Sequence, residues 1–318
     1  MSMLSGKVVD WLLLLTCNLI WASQFVMVKL VQEQMGPLFA VTFPIALSTL
    51  LLVCLIKRES GVTVTRKDVG NFVLLGIAGQ LFAQLFITWG VRFAPASNAA
   101  LLALVMPVST ALMAHFFLGE WMSRIRWISF GLALLGVAAC SGVDWNGLNF
   151  GRTYLVGNIL IFVSVLGSAF YNAYSKKVLE RHSPLRVLLY SYYALLVVLL
   201  PITIAAEPEG FRNLPHYSTT VWVGLAVLAL FQYFLSMVIF LNVLTRLDAT
   251  QAALSNYLIP FFGVLIAAIA LHERLTTFMI AGGLLALAST LLITVWDDIP
   301  HIESASDAQS HPSTIGRP

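Results

Sequence analysis

A chain of 318 residues that is 59% hydrophobic and only 10% charged is no soluble domain, where charged residues make up about 25% of the total. A mean hydropathy of +0.87 and long uncharged runs require a lipid environment instead. The net charge of +3 excludes nothing as a total, and Cys17, Cys54 and Cys140 all lie in apolar runs, which argues against a disulfide framework.

In chain order the hydropathy pattern predicts ten membrane spans, at about 10–31, 37–56, 69–91, 96–118, 125–143, 155–178, 185–206, 218–244, 249–271 and 275–296. Lys7 precedes the first, which has full membrane length and is expected to stay in the mature protein rather than be cleaved as a signal. After Trp296 the composition turns polar, with Ser and Pro, and residues 297–318 are expected to form a disordered tail. Placing the N-terminus in the cytoplasm puts 13 of the 18 Lys and Arg residues in inside segments and 5 outside. The cationic bias of cytoplasmic loops therefore predicts both termini inside.

The chain repeats itself. Residues 96–120 and 249–273 align at an offset of 153 with nine identities in 25 positions, including Pro107 with Pro260 and Glu120 with Glu273. Earlier in each half, Ala22, Lys29, Pro37 and Leu38 match Ala169, Lys176, Pro184 and Leu185 at an offset of 147. Two repeats of five spans each, 1–144 and 145–296, must lie upside down relative to one another because five is odd. The loop with Lys57, Arg58, Arg66 and Lys67 falls inside, whereas its counterpart with Glu207 and Glu209 falls outside. Each matched proline removes one helical hydrogen bond, leaving the carbonyls of Ala103 and Asn256 in need of other partners. Paired interruptions of this kind in two inverted halves point to a transport site near the midplane and to alternating access.

The order of these features resembles the drug/metabolite transporter superfamily, EamA type. The residues that carry the likeness are Trp21-Ala22-Ser23, Ala99-Ala100-Leu101 through Pro107 to Gly119-Glu120, and Ala252-Ala253-Leu254 through Pro260 to His272-Glu273-Arg274. The glycines at 131 and 136, and at 282 and 283, also fit. The resemblance implies ten transmembrane helices around a central cavity built by spans 1–4 and 6–9, with spans 5 and 10 peripheral. It also implies export of small metabolites, often amino acids, and a homodimer contact through the peripheral spans, where Gly131, Ala138 and Ala139 would permit close packing.

Sequence patterns of enzymes are absent: there is no GxxxxGK[ST], CxxC, HExxH or GxSxG, and His272-Glu273 lacks the second histidine of a zinc site. The chain is thus expected to be no enzyme and to use no cofactor and no metal. Polar and aromatic residues inside the spans carry the remaining signal. Trp21, Phe25 and Lys29 share a face of span 1 with Asn18; Gln80 and Gln84 stack in span 3; Asn98 and Pro107 belong to span 4. The second half offers Tyr171 and Asn172, Gln232 and Tyr233, and Asn256, Tyr257 and Pro260. Amides and aromatics without a midplane carboxylate suit a neutral or zwitterionic molecule with an apolar part. For proton coupling the candidates are His115, the histidine inside a span, and Glu120 and Glu273, whose positions at helix ends equally fit salt bridges or caps.

These features predict an inner-membrane exporter of amino acids or related zwitterions. The alternatives are a broad efflux permease for amphipathic drugs and a non-transporting receptor or scaffold. The expected partners are a small-molecule substrate and the lipid bilayer, with no nucleic acid.

Overall fold

The computed structural model describes residues 2–56, 63–119, 123–140, 152–247, 252 and 255–296, and among these every regular element is helical. In chain order they are α1 (Ser2–Val31), α2 (Pro37–Ile56), α3 (Arg66–Phe93), α4 (Ala96–Leu118), α5 (Arg124–Cys140), α6 (Arg152–Leu179), α7 (Pro184–Ala206), α8 (Thr219–Leu244), α9 (Ser255–Leu271) and α10 (Thr277–Trp296). A short helix, Pro208–Arg212, joins α7 to α8. Seven helices, α1–α4 and α6–α8, are long and apolar enough to cross a membrane. Of the other expected spans, 249–271 and 275–296 hold the shorter apolar helical stretches Leu258–Leu271 and Thr277–Ser289, and the described part of the helix in 125–143 has 17 residues, Arg124–Cys140.

Helix starts follow local chemistry. Thr65 and Asp68 form a reciprocal capping box at α3. Ser183, followed by Pro184, caps α7 by accepting from the Arg186 N–H. Ser218 caps α8 by accepting from the Val221 N–H, and is itself held by Gln34 through 3.0 Å and 2.9 Å hydrogen bonds. Lipid offers no partners for backbone polar groups, so hydrogen bonding must close within the protein. The outward faces accordingly carry exposed Leu50, Val197, Phe261 and Ile269, while Asn18, Ser48 and Asn98 are buried.

Within the ten helices, four described segments depart from α geometry, and they fall in matched positions. The 3₁₀ turns Ala103–Val105 in α4 and Ser255–Tyr257 in α9 lie just before Pro107 and Pro260. A proline nitrogen cannot donate back one turn, so the chain tightens there. In α9 the Asn18 side chain donates Nδ2 to the Ser255 carbonyl at 2.9 Å, at the start of the 3₁₀ turn and one residue before the carbonyl that Pro260 leaves without its helical partner. The π segments Leu75–Leu81 in α3 and Val227–Leu235 in α8 are wider turns that no proline accounts for.

Packing partners come in pairs. Helix α1 packs on α9 as α4 packs on α6; α3 packs on α6 as α8 packs on α1; α2 meets α7, and α5 meets α10. Where α3 crosses α6 the backbones touch: a Cβ on Gly90 would lie 3.0 Å from the Gly157 carbonyl oxygen, and one on Gly157 would lie 3.0 Å from that of Gly90. Gly136 of α5 similarly lies against Gly282 and Ala286 of α10 in the same chain, so part of the small-residue pattern is used internally.

Candidate functional site

Helices α1, α3, α4, α6, α8 and α9 enclose a cavity between them. Its polar wall is made of Gln24 from α1, Gln80 and Gln84 from α3, Ser164, Ser168, Tyr171 and Asn172 from α6, and Gln232 from α8. Trp21, Phe25, Ile87, Met106, Ile161, Val165, Met237 and Ile259 supply the apolar wall. No described lining residue is charged.

Hydrogen bonds tie this wall together across the chain. Gln232 Nε2 donates to Gln24 Oε1 at 2.8 Å, and Gln24 Nε2 donates to Gln84 Oε1 at 2.7 Å. Gln24 Nε2 also reaches the Tyr233 hydroxyl at 3.5 Å, and Tyr192 donates its hydroxyl to the Tyr233 carbonyl at 2.6 Å. Trp21 is fixed by Nε1 donating to Ser236 Oγ at 2.9 Å and by an edge-on contact with Phe240. A ring held at both its polar tip and its face cannot turn freely, so the aromatic wall is preorganised. Two of the glutamines, Gln80 and Gln232, sit in the π segments, a geometry that recurs at functional sites.

Of the residues expected from sequence, the cavity brings together Trp21, Phe25, Gln80, Gln84, Tyr171, Asn172 and Gln232. Tyr233 stands behind the wall and touches it through Gln24. Asn98 is buried in a short hydrogen bond to Asn158 and lies off the cavity. Asn256, in the 3₁₀ turn, and Pro107 and Pro260 shape α4 and α9 without lining the cavity. The Tyr257 side chain and Glu120 lie outside the described residues. His115 faces Phe116 and Trp127 at the α4–α5 contact rather than the cavity.

Lys29 and Glu273 also lie away from the cavity lining, but they meet each other at 2.9 Å. The same carboxylate accepts from the Ala96 and Ser97 N–H groups and from the Ser97 hydroxyl, at 3.0, 2.9 and 2.7 Å. It therefore caps the positive end of α4. Burial pushes its pKa up, but the Lys29 ammonium and the Ser97 and Ala96 donors outweigh that and hold the carboxyl below its ordinary value. The matched lysine in the second half, Lys176, donates to the carbonyls of Leu244 and Leu247, much as Lys29 reaches that of Ala94.

Sequence reasoning passed over Gln24, the hub of the amide network, and Ser164 and Ser168, which stand on the Tyr171 face of α6. Their signal was spacing alone: Gln24 is one turn after Trp21, and Ser164, Ser168 and Tyr171 follow each other at four and three residues.

A polar pocket inside a bundle of helices able to cross a membrane suits the passage of a small molecule. The chain belongs to the EamA-like transporter family, whose model matches residues 10–142 and again 155–295. It is 27% identical over 288 residues to a probable terminal-alkyne amino-acid exporter of Streptantibioticus cattleyicolor, covering 89% of this chain and 92% of that one. It is 25% identical over 288 residues to a probable amino-acid metabolite efflux pump of Salmonella typhimurium, covering 88% of this chain and 92% of that one. A solved crystal structure shares the fold with a TM-score of 0.62 at 17% identity, over 90% of this chain and 96% of that one.

Proposed function

We propose that this protein exports amino acids or related small zwitterions across the plasma (inner) membrane by alternating access. The carrying observation is the uncharged wall of amides and aromatics drawn from α1 and α3 on one side and α6 and α8 on the other. Such a wall binds polar head groups by hydrogen bonds, packs an apolar side chain, and holds no fixed charge that would trap an ion. The names of the two relatives point to the same substrate class.

In this reading ten spans form two inverted five-helix repeats, 1–144 and 145–296, with both termini and the tail 297–318 in the cytoplasm. The exchange of packing partners between the first and last five helices supports the repeat, as do the matched 3₁₀ and π segments. Rocking one repeat against the other would open the cavity to each side in turn. Coupling to protons would run through groups outside the cavity, and Glu273, which ties α1 and α4 to the connection between α9 and α10, is the candidate. A homodimer contact would use the exposed Gly131 face of α5, where a Cβ meets open space.

Broad efflux of amphipathic drugs is the second reading, favoured by the apolar wall of Ile87, Met106, Ile161, Val165, Met237 and Ile259. Flux from liposomes loaded with mixed amino acids and cationic drugs, read by mass spectrometry with and without a pH gradient, separates the two. Selective loss of amino acids supports the exporter; loss of drugs alone refutes it.

A further inference from the structure

Two seams of the molecule occupy matched places in the repeat and close differently. At the repeat offsets, Leu47 of α2 and Ala229 of α8 correspond to Ala194 of α7 and Gly76 of α3. The small pair lets the α3 and α7 backbones meet: a Cβ on Gly76 would lie 2.5 Å from the Ser191 carbonyl oxygen and 2.6 Å from Ala194 Cβ. With the larger pair, the α2–α8 seam closes on its buried side, where Ser48 Oγ donates to the Ala229 carbonyl at 2.5 Å. Outside that bond an apolar furrow of about 370 Å³ stays open. Its rims are Leu50 and Leu51 of α2 and Trp222 and Leu230 of α8, all exposed, and Ala226 is the notch between the last two. The Trp222 ring is held edge-on by Phe43 at 6.2 Å, and Phe43 stacks on Phe39 at 5.1 Å, so this rim is fixed in place.

We propose that this furrow is a binding site for one phospholipid acyl chain. Both of its helices are long and apolar enough to cross a membrane, and its rims continue into the exposed Leu55, Val223 and Phe231, so it opens onto the lipid-facing surface. An open furrow there forfeits dispersion contacts until something fills it. The Trp222 indole N–H is the one polar side-chain group among its described lining residues, which leaves a polar solute without partners. Trp222 lies about 5 Å beyond the α8 start at Thr219, and Leu230 about 12 Å further along the axis. The furrow thus runs from the level where membrane tryptophans gather to near the middle of a core about 30 Å thick, which is the track of an acyl chain. A helix from another protein, about 10–12 Å across, can only lie over a gap between helices whose axes pack about 8–10 Å apart, whereas a single chain enters it. The site also reaches the central cavity. Ala229 and Leu230 belong to the π segment Val227–Leu235, which carries Gln232 on its buried side, so a seated chain supports one cavity wall from outside.

The test uses the full chain in detergent micelles and needs no knowledge of what the cavity carries, so its failure leaves the exporter reading untouched. Native mass spectrometry in micelles doped with dioleoyl phosphatidylethanolamine should find one phospholipid retained per chain. Ala226→Phe fills the notch at an exposed position and should lose that lipid. Val197→Phe, at the exposed position of α7 that matches Leu50, should keep it. A second measurement titrates dibrominated phosphatidylcholine into the micelles. The fluorescence difference between the unaltered protein and Trp222→Phe isolates that ring among the eight tryptophans. Its quenching should saturate near one lipid per chain, and in Ala226→Phe it should instead rise in proportion to the lipid fraction, as for a ring merely bathed in lipid. Proportional quenching in the unaltered protein overturns the inference, as does equal lipid retention by Ala226→Phe. A dimer that Ala226→Phe dissociates assigns the furrow to a second copy of the chain and overturns it too.

Discussion

Lys29 Nζ lies 2.9 Å from Glu273 Oε1, although 244 residues separate them, and this carboxylate ties α1 and the start of α4 to the connection between α9 and α10. The Glu273 side chain is 13% exposed and that of Lys29 34%, so the glutamate is the more desolvated partner and its loss is the costlier. Glu273→Ala is expected to destabilise the protein by about 1–3 kcal/mol, since it removes a helix cap and leaves the Ala96 and Ser97 N–H groups without acceptors. Lys29→Met should cost less and leave the cap in place. Thermal unfolding in detergent gives the order; a larger effect for Lys29→Met refutes it.

The same carboxylate fixes the sign of a pH dependence. Its pKa is held below the ordinary value in the fold, so its contribution to stability is fully present above the unfolded carboxyl's pKa. That contribution is lost as pH falls through the lower, folded pKa. The difference in melting temperature between the unaltered protein and Glu273→Gln should therefore be constant from neutral pH down to the ordinary carboxylate range and shrink below it. A difference that grows on acidification contradicts the assignment.

Asn18 anchors the interrupted start of α9 to α1. Its Nδ2 donates to the Leu14 carbonyl at 2.8 Å and to that of Ser255 at 2.9 Å. Asn18→Leu strips the second donor from a fully buried site and should cost about 1–3 kcal/mol, the penalty of an orphaned buried acceptor. Asn18→Leu with Pro260→Ala in the same chain should recover part of the loss by letting α9 wind back to regular geometry. Additive losses in that double variant would show that the two features are independent.

Gly79 lets the π segment of α3 approach α6. A Cβ there would fall 2.9 Å from Tyr171 Cδ2, inside contact distance. Gly79→Ala should push Tyr171 into the cavity, reduce flux severalfold, and destabilise by about 1–3 kcal/mol. Gly70, where a Cβ meets nothing within 4 Å, is the control: Gly70→Ala should leave flux unchanged.

Much of this molecule is written plainly in its residues. Apolar runs gave the helices, and the matched prolines gave the two 3₁₀ turns, because the loss of a proline N–H is a local fact. Seven of the polar or aromatic site candidates line the cavity because polar side chains in lipid must face inward. Inward does not mean toward one particular space, however. Asn98 faces Asn158, and His115 faces Trp127, and only the packing of neighbouring helices decides between such pockets. Gln24 was hidden for the converse reason: it sits beside the Trp21–Phe25 stripe, and its rank comes from partners 60 and 208 residues away. Glu273 shows a third limit, since its neighbour in sequence is Arg274 but its partner in space is Lys29. The π segments carry no sequence sign at all, as neither LGIAGQL nor VLALFQYFL contains a proline or any other known marker.

Those widened turns also constrain how such a chain can drift. Each residue of an α-helix advances about 100° around its axis, so a gain or loss of one residue turns everything beyond it to another side. A π turn holds more residues than an α turn, so relaxing 75–81 to α without shortening it would swing Gln84, Thr88 and Gly90 together, taking the glutamine from Gln24 and Gly90 from its contact with Gly157. Loss of one residue inside such a segment would instead restore regular α turns with the flanking faces in place, so α3 and α8 are the two described helices of this chain that can shorten by one residue and keep their contacts.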